Sequence, residues 1–300
     1  MPFRLVPRDP TLEAAFRRMA REQADEAVAK IEAARLAPDV TVHEVRKHAK
    51  KLRGLIRLFR PVFGDHAKEN AAIRDAARRL SGSRDRAVML KTHDALVAWL
   101  PPGAERRALA PLRARLTQLA RGARGGDMVA ELAACAEVMR GVAERAGHWR
   151  LEAEGRAALE PGLARVWKQA RARLAEARKA RTPEAIHEWR KRVKDHWYHA
   201  RILTPVFPEI VGAQSAVANV LGETLGVAND IAVYRRWLDG PESDGIAAER
   251  RAVADALAAV RQEELLAQGF ALGERLFAEP AGAMAARWAA WWDIWKQECG

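Results

Sequence analysis

The sequence predicts an all-α protein made of two matching helical halves, and three observations carry that prediction. Ala, Arg, Leu and Glu dominate, with apolar residues recurring at spacings of three and four. Alternating β-branched runs are missing. A stretch of charged helix near residue 43 has a counterpart near residue 187.

The breaks define the elements, taken in chain order. Ala37-Pro38-Asp39 separates the first helical run from the second, and Pro61 to Asp65 ends the second. Ser81-Gly82-Ser83, Pro101-Pro102-Gly103 and Gly122 to Asp127 punctuate the rest of the first half. The boundary between halves falls near Gly147–Gly155, giving segments 1–150 and 151–300. Thr182-Pro183 opens a helix in the second half, and Pro205 to Pro208, Leu238 to Gly245 and Glu279-Pro280 divide the remainder of that half. The intervals suit helices of about 12–25 residues joined by short loops.

The repeat is specific. HEVRKHAKKLRGLIRLFRPVF (43–63) aligns without gaps on HEWRKRVKDHWYHARILTPVF (187–207), with nine of twenty-one positions identical. They are His43/His187, Glu44/Glu188, Arg46/Arg190, Lys47/Lys191, Lys50/Lys194, Arg57/Arg201, Pro61/Pro205, Val62/Val206 and Phe63/Phe207. A second echo comes later in each half: LSGSRDRAV (80–88) matches LGVANDIAV (225–233) and keeps Asp85/Asp230. Two motifs in the same order indicate a tandem duplication.

On a helix, His43, Lys47, Lys50 and Arg57 share one stripe, with Arg46 and Arg53 beside it. The second copy gives His187, Lys191, Lys194 and Arg201, flanked by Arg190. Val45, Leu52, Leu55, Ile56 and Phe59 form the opposite, core-facing side of the first helix; Trp189, Val193, Ala200 and Leu203 do so in the second. Windows 43–64 and 187–208 contribute +6 and +3 to a net charge of +12. Stacked like charges repel, so the pattern implies a polyvalent anion as partner. Both helix starts favour one. Asp39 or Thr41, with Thr41 and Glu44 as a capping box, is expected to cap the first. Thr182-Pro183-Glu184 opens the second. His43 and His187 then lie near the positive ends of the helix dipoles. Asp85 and Asp230 are read as orienting a neighbouring Arg or capping backbone, and the repeated Pro-Val-Phe as a helix stop plus core anchor.

The two cysteines, Cys135 and Cys299, match no metal or disulfide spacing and are read as thiols of a reducing compartment. With no signal-like N-terminus and no apolar run of membrane length, a soluble cytoplasmic protein is expected.

The doubled H-E-x-R-K-x-x-K…R…P-V-F, each with a later L-x-x-x-x-D-x-A-V, resembles the CHAD family, the conserved-histidine α-helical domains. The resemblance implies two four-helix bundles related by a pseudo-twofold, their basic helices facing a shared groove or pore. It also implies binding of inorganic polyphosphate and association with polyphosphate granules. No cofactor or resident metal is expected, and whether a divalent ion bridges the bound anion is left open. Carried over by position, the implied phosphate ligands are His43, Arg46, Lys47, Lys50, Arg53, Arg57 and Arg84, then His187, Arg190, Lys191, Lys194 and Arg201. Three departures stand out: Arg53 matches Trp197, Arg84 matches Asn229, and Lys51 matches Asp195. They predict an uneven groove, stronger in the N-terminal half.

Two rival classes are weighed against this reading. Nucleic-acid binding needs aromatics beside the cations, which Trp189, Trp197 and Tyr198 supply in the second copy only. A metal-dependent phosphohydrolase has weaker support: His93-Asp94, Glu184 with His187, and His196 with His199 each supply two ligands, short of a site. The Trp288, Trp291, Trp292 and Trp295 stripe is read as core or dimer packing rather than a membrane-surface helix. Oligomeric state is left open.

Overall fold

The computed structural model describes residues 3–33, 38–80, 84–101, 106–122 and 128–299. Among them are eleven α-helices and no strand. The first six are α1 (Leu12–Glu32), α2 (Pro38–Leu58), α3 (His66–Arg79), α4 (Arg84–Trp99), α5 (Ala110–Gly122) and α6 (Met128–Ala146). After residues 147–154 come α7 (Gly155–Ala180), α8 (Pro183–Leu203), α9 (Pro208–Leu238), α10 (Ala248–Leu276) and α11 (Ala281–Glu298). Helices end and begin on either side of every break read from the sequence. Ser81-Gly82-Ser83, Pro102-Gly103 and residues 123–127 themselves lie outside the described residues.

Each half closes a ring of four helices. In the first, α1 packs on α2, α2 on α3, α3 on α6 and α6 on α1. In the second, α7, α8, α9 and α10 close in the same way, and α11 covers α7. The expected core faces are buried: Val45, Leu52, Leu55, Ile56 and Phe59 in α2, and Trp189, Val193, Ala200 and Leu203 in α8. Removal of each large side chain from water stabilises this arrangement by roughly 1.5–3 kcal/mol before entropy is counted.

The halves differ in three places. The α4–α5 hairpin leaves the first ring, and α4 packs on α9 and α10. In the second copy α9 runs unbroken through Gly226-Val227-Ala228, the positions matching Ser81-Gly82-Ser83. The aromatic anchor also differs. Phe63 is 3% exposed, clasped by Phe16 and Trp149 at 5.1 and 4.9 Å between ring centroids. Phe207, expected to be its core equivalent, is 36% exposed and meets Trp291 of the α11 stripe edge-on. The first ring has Trp149 from the connecting segment as a plug; in the second, Trp288 occupies the interior instead. The Trp stripe thus packs α11 onto the body, and among the described residues no helix is long and apolar enough to cross a membrane.

The rings meet where α2 crosses α8. Gly54 sits against Tyr198 so closely that a β-carbon on it would lie 2.8 Å from the Tyr198 β-carbon. His199 donates from Nε2 to the Gly54 carbonyl at 3.1 Å. Positions 54 and 198 are paired by the sequence repeat, and like positions meet in this way around a twofold axis.

Candidate anion-binding site

The two basic helices open differently. In α8, Thr182 Oγ1 accepts from the Ala185 amide at 3.3 Å and Pro183 takes the first helical position, as its fixed φ favours. In α2 the helix already begins at Pro38. Thr41 therefore lies inside the first turn, 4% exposed, and is not the cap expected of it. The capping box fails with it, and Glu44 instead pairs with Lys47 at 3.2 Å. The Asp39 side chain lies outside the described residues.

The first two turns then match closely. Arg46 donates from Nη1 to the Ala77 carbonyl at 2.7 Å, and Arg190 from Nε to the Gly222 carbonyl at 3.0 Å. Those carbonyls stand in the same relation to the second echo, so each half fixes its Arg on the next helix of its ring. Lys47–Glu44 at 3.2 Å is repeated by Lys191–Glu188 at 2.6 Å. Both lysines are about half exposed (50% and 44%), so these i,i+3 pairs contribute only tenths of a kcal/mol and yield readily to a stronger anion. His43 and Lys50 are exposed beside them. The beginning of α2 is a solvent-facing basic surface; that of α8 exposes Lys191 while His187 and Lys194 are drawn in, and each is backed by an anchored guanidinium.

Nearer the crossing the two copies part. Arg53 is half-buried, donates to Asn70 Oδ1 at 3.0 Å, and has its pKa lowered to about 10, chiefly by burial and then by Arg57. Arg57, expected as a phosphate ligand, is held at 2.6 Å by Asp195 of α8, whose side chain is 4% exposed. Asp195 also pairs with Arg192 at 2.9 Å. The charge reversal is visible in the sequence as the Lys51/Asp195 mismatch, but its partner depends on how the helices cross. In the second copy Lys194 lies 3.7 Å from the Trp197 ring centroid and Arg201 lies 4.9 Å from it. Lys194 also reaches Glu223 at 3.0 Å. The side chains of Arg84 and Asp85 lie outside the described residues.

The histidines divide into two groups. His43 lines a cavity of about 560 Å³ with Asp230, Lys91 and Arg261. His187 is half-buried, and its pKa is lowered by burial first, then by Lys191 and Arg190, against hydrogen bonding from Asn229. The others weighed as metal ligands are committed elsewhere. His93 shares a hydrogen bond with the Tyr234 hydroxyl at 2.9 Å. His196 is enclosed by Trp167, Phe277 and Trp288, while His199 faces the Gly54 carbonyl. Among the described residues no three His, Cys, Asp or Glu side chains group as a metal site.

A family model matches the sequence, and a solved structure is similar in fold. The CHAD domain family model matches residues 18–239, from within α1 to the end of α9. The crystal structure of the CHAD domain from the plant Ricinus communis is similar at 19% identity and a TM-score of 0.56, covering 90% of this chain and 96% of that one. PptA from Streptomyces chartreusis is 17% identical, with a TM-score of 0.49, covering 87% of this chain and 96% of that one. No curated protein is close enough in sequence to match. With its doubled basic helix, and with the family model spanning most of its length, the chain belongs to the CHAD domain family.

Proposed function

We propose that this protein binds inorganic polyphosphate without chemically changing it, and associates through that binding with polyphosphate granules in the cytoplasm. The observation that carries the reading is the matched pair of exposed lysines, Lys47 and Lys191, each beside an Arg fixed to the same backbone position of the next helix. Polyphosphate is a flexible chain of closely spaced charges with no bases to read, so densely packed cations suffice. Arg offers paired donors to phosphate oxygens and Lys a mobile point charge.

The placement of the aromatics favours this ligand over nucleic acid. Trp189 is fully buried and stacked on Phe270 at 5.4 Å, and Tyr198 is 6% exposed at the helix crossing. Trp197 is already engaged by Lys194 and Arg201. A base-stacking platform needs exposed rings.

The test is a titration with long-chain polyphosphate, single-stranded DNA and RNA at equal charge, across a salt series. Polyphosphate is expected to bind most tightly, with affinity falling steeply with salt through counterion release. Equal affinity for all three overturns the reading. Lys47→Glu combined with Lys191→Glu is expected to abolish binding while leaving the unfolding midpoint within a few degrees, since both side chains are about half exposed.

A further inference from the structure

The repeat places two unlike clusters on either side of the α2–α8 crossing. On one side, Asp195 receives Arg57 at 2.6 Å and Arg192 at 2.9 Å. Arg53 lies close enough for Arg57 and Asp195 to act on its charge. The positions matching Asp195, Arg57, Arg192 and Arg53 are Lys51, Arg201, His48 and Trp197. On that second side the central carboxylate has become an ammonium.

Ring contacts tie the second cluster together. The Lys51 ammonium lies 5.9 Å from the Phe3 ring centroid, and Phe3 meets Tyr198 edge-on at 6.2 Å. Tyr198 lies 4.8 Å from Trp197, the ring that Lys194 and Arg201 approach. His48 is withdrawn, its ring bonded to Gln23 at 3.0 Å. Lys51 has a lowered pKa, from burial first and then from Arg201 and Lys47; the carboxylates acting against this are Glu26 and Glu44. Glu44 already pairs with Lys47, and Glu223, the partner of Lys194, is 64% exposed.

Resting on the polyphosphate reading, we infer that Lys51 and Arg201 form the seat of one phosphoryl group of the chain, occupying the place that the Asp195 carboxylate fills on the opposite side. Carboxylate and phosphate oxygens present equivalent acceptors to a guanidinium. Asp195 is therefore an internal stand-in for the ligand on one side, and the second side is left for the ligand itself. Lys194 borders the seat and exchanges its exposed Glu223 partner for a phosphate oxygen.

Lys51→Asp restores the missing carboxylate and tests the seat directly. Its pairing with Arg201 is expected to raise the unfolding midpoint, while affinity for long-chain polyphosphate falls at least about tenfold. Lys179→Asp makes the same charge change on the exposed face of α7 and is expected to stay within about twofold of wild type. Lys51→Ala, which adds no carboxylate, is expected to lose about three- to fivefold, and it decides the matter if Lys51→Asp does not fold. Wild-type binding with equal affinities for the Lys51 variants and Lys179→Asp overturns the seat and leaves the polyphosphate reading standing. Absence of wild-type binding removes both.

Discussion

At the scale of single residues, one matched pair of histidines hides two different chemistries. His43 is exposed beside a cavity, whereas His187 is half-buried among cations and is neutral near pH 7. Burial, Lys191 and Arg190 lower the His187 pKa in the free protein, with Glu188 and Asn229 opposing them. A phosphate arriving next to the ring reverses the local field and raises that pKa. The sign is then fixed: binding takes up a proton, so affinity rises as pH falls through the bound-state pKa and levels off below the free-state value. Calorimetric titration from about pH 8 to pH 5 in two buffers of different ionisation enthalpy is expected to show the uptake. His187→Asn is expected to remove it, and a proton-independent binding curve in the wild type would count against a phosphate beside this ring.

At the scale of helices, the close approach of α7 to α2 is the most demanding contact. A β-carbon at Gly162 would fall 1.6 Å from the Leu58 carbonyl oxygen, at the end of α2 where a backbone carbonyl lacks an intrahelical partner. Backbone cannot rotate aside, so Gly162→Ala must push the two helices apart. A loss of about 3 kcal/mol or more by chemical denaturation is expected, at the upper end of overpacking costs. Gly282→Ala, with nothing within 4 Å, is the control and is expected to be neutral or slightly stabilising. The helices themselves are legible in the sequence, because most Pro, Gly and Ser clusters fall at helix ends, Pro161-Gly162 inside α7 being an exception, and the core faces of α2 and α8 come from a local period. The features that escape it are set by the crossing of helices. The Arg57–Asp195 pair joins residues of different helices, and no local pattern states which charges a crossing will bring together. Thr41 fails as a cap for a local reason: Asp39, Thr41 and Pro38 all signal a start, and the proline opens the helix earliest. The escape of the α4–α5 hairpin onto α9 and α10 is likewise a tertiary choice.

At the scale of the whole molecule, buried or half-buried neutral histidines are distributed through both rings. Burial lowers His48 and His66 to about 4, and His196 and His199 to about 3. In the unfolded chain the same groups take up protons near pH 6.5, so the unfolded state binds more protons below that pH. Stability is expected to be flat above about pH 7 and to fall by a few kcal/mol per pH unit below about pH 6. Denaturant midpoints against pH check this, and an unchanged midpoint at pH 5 would mean that these rings are charged when folded. The meeting of positions 54 and 198 has a consequence for the kind of polymer such a surface suits. Single-stranded nucleic acids and polypeptides have a direction, so a fit made by one half is presented backwards to the other. Linear polyphosphate reads the same from either end. Two copies of one anchored guanidinium, turned head to head, can grip such a thread without deciding which way it runs.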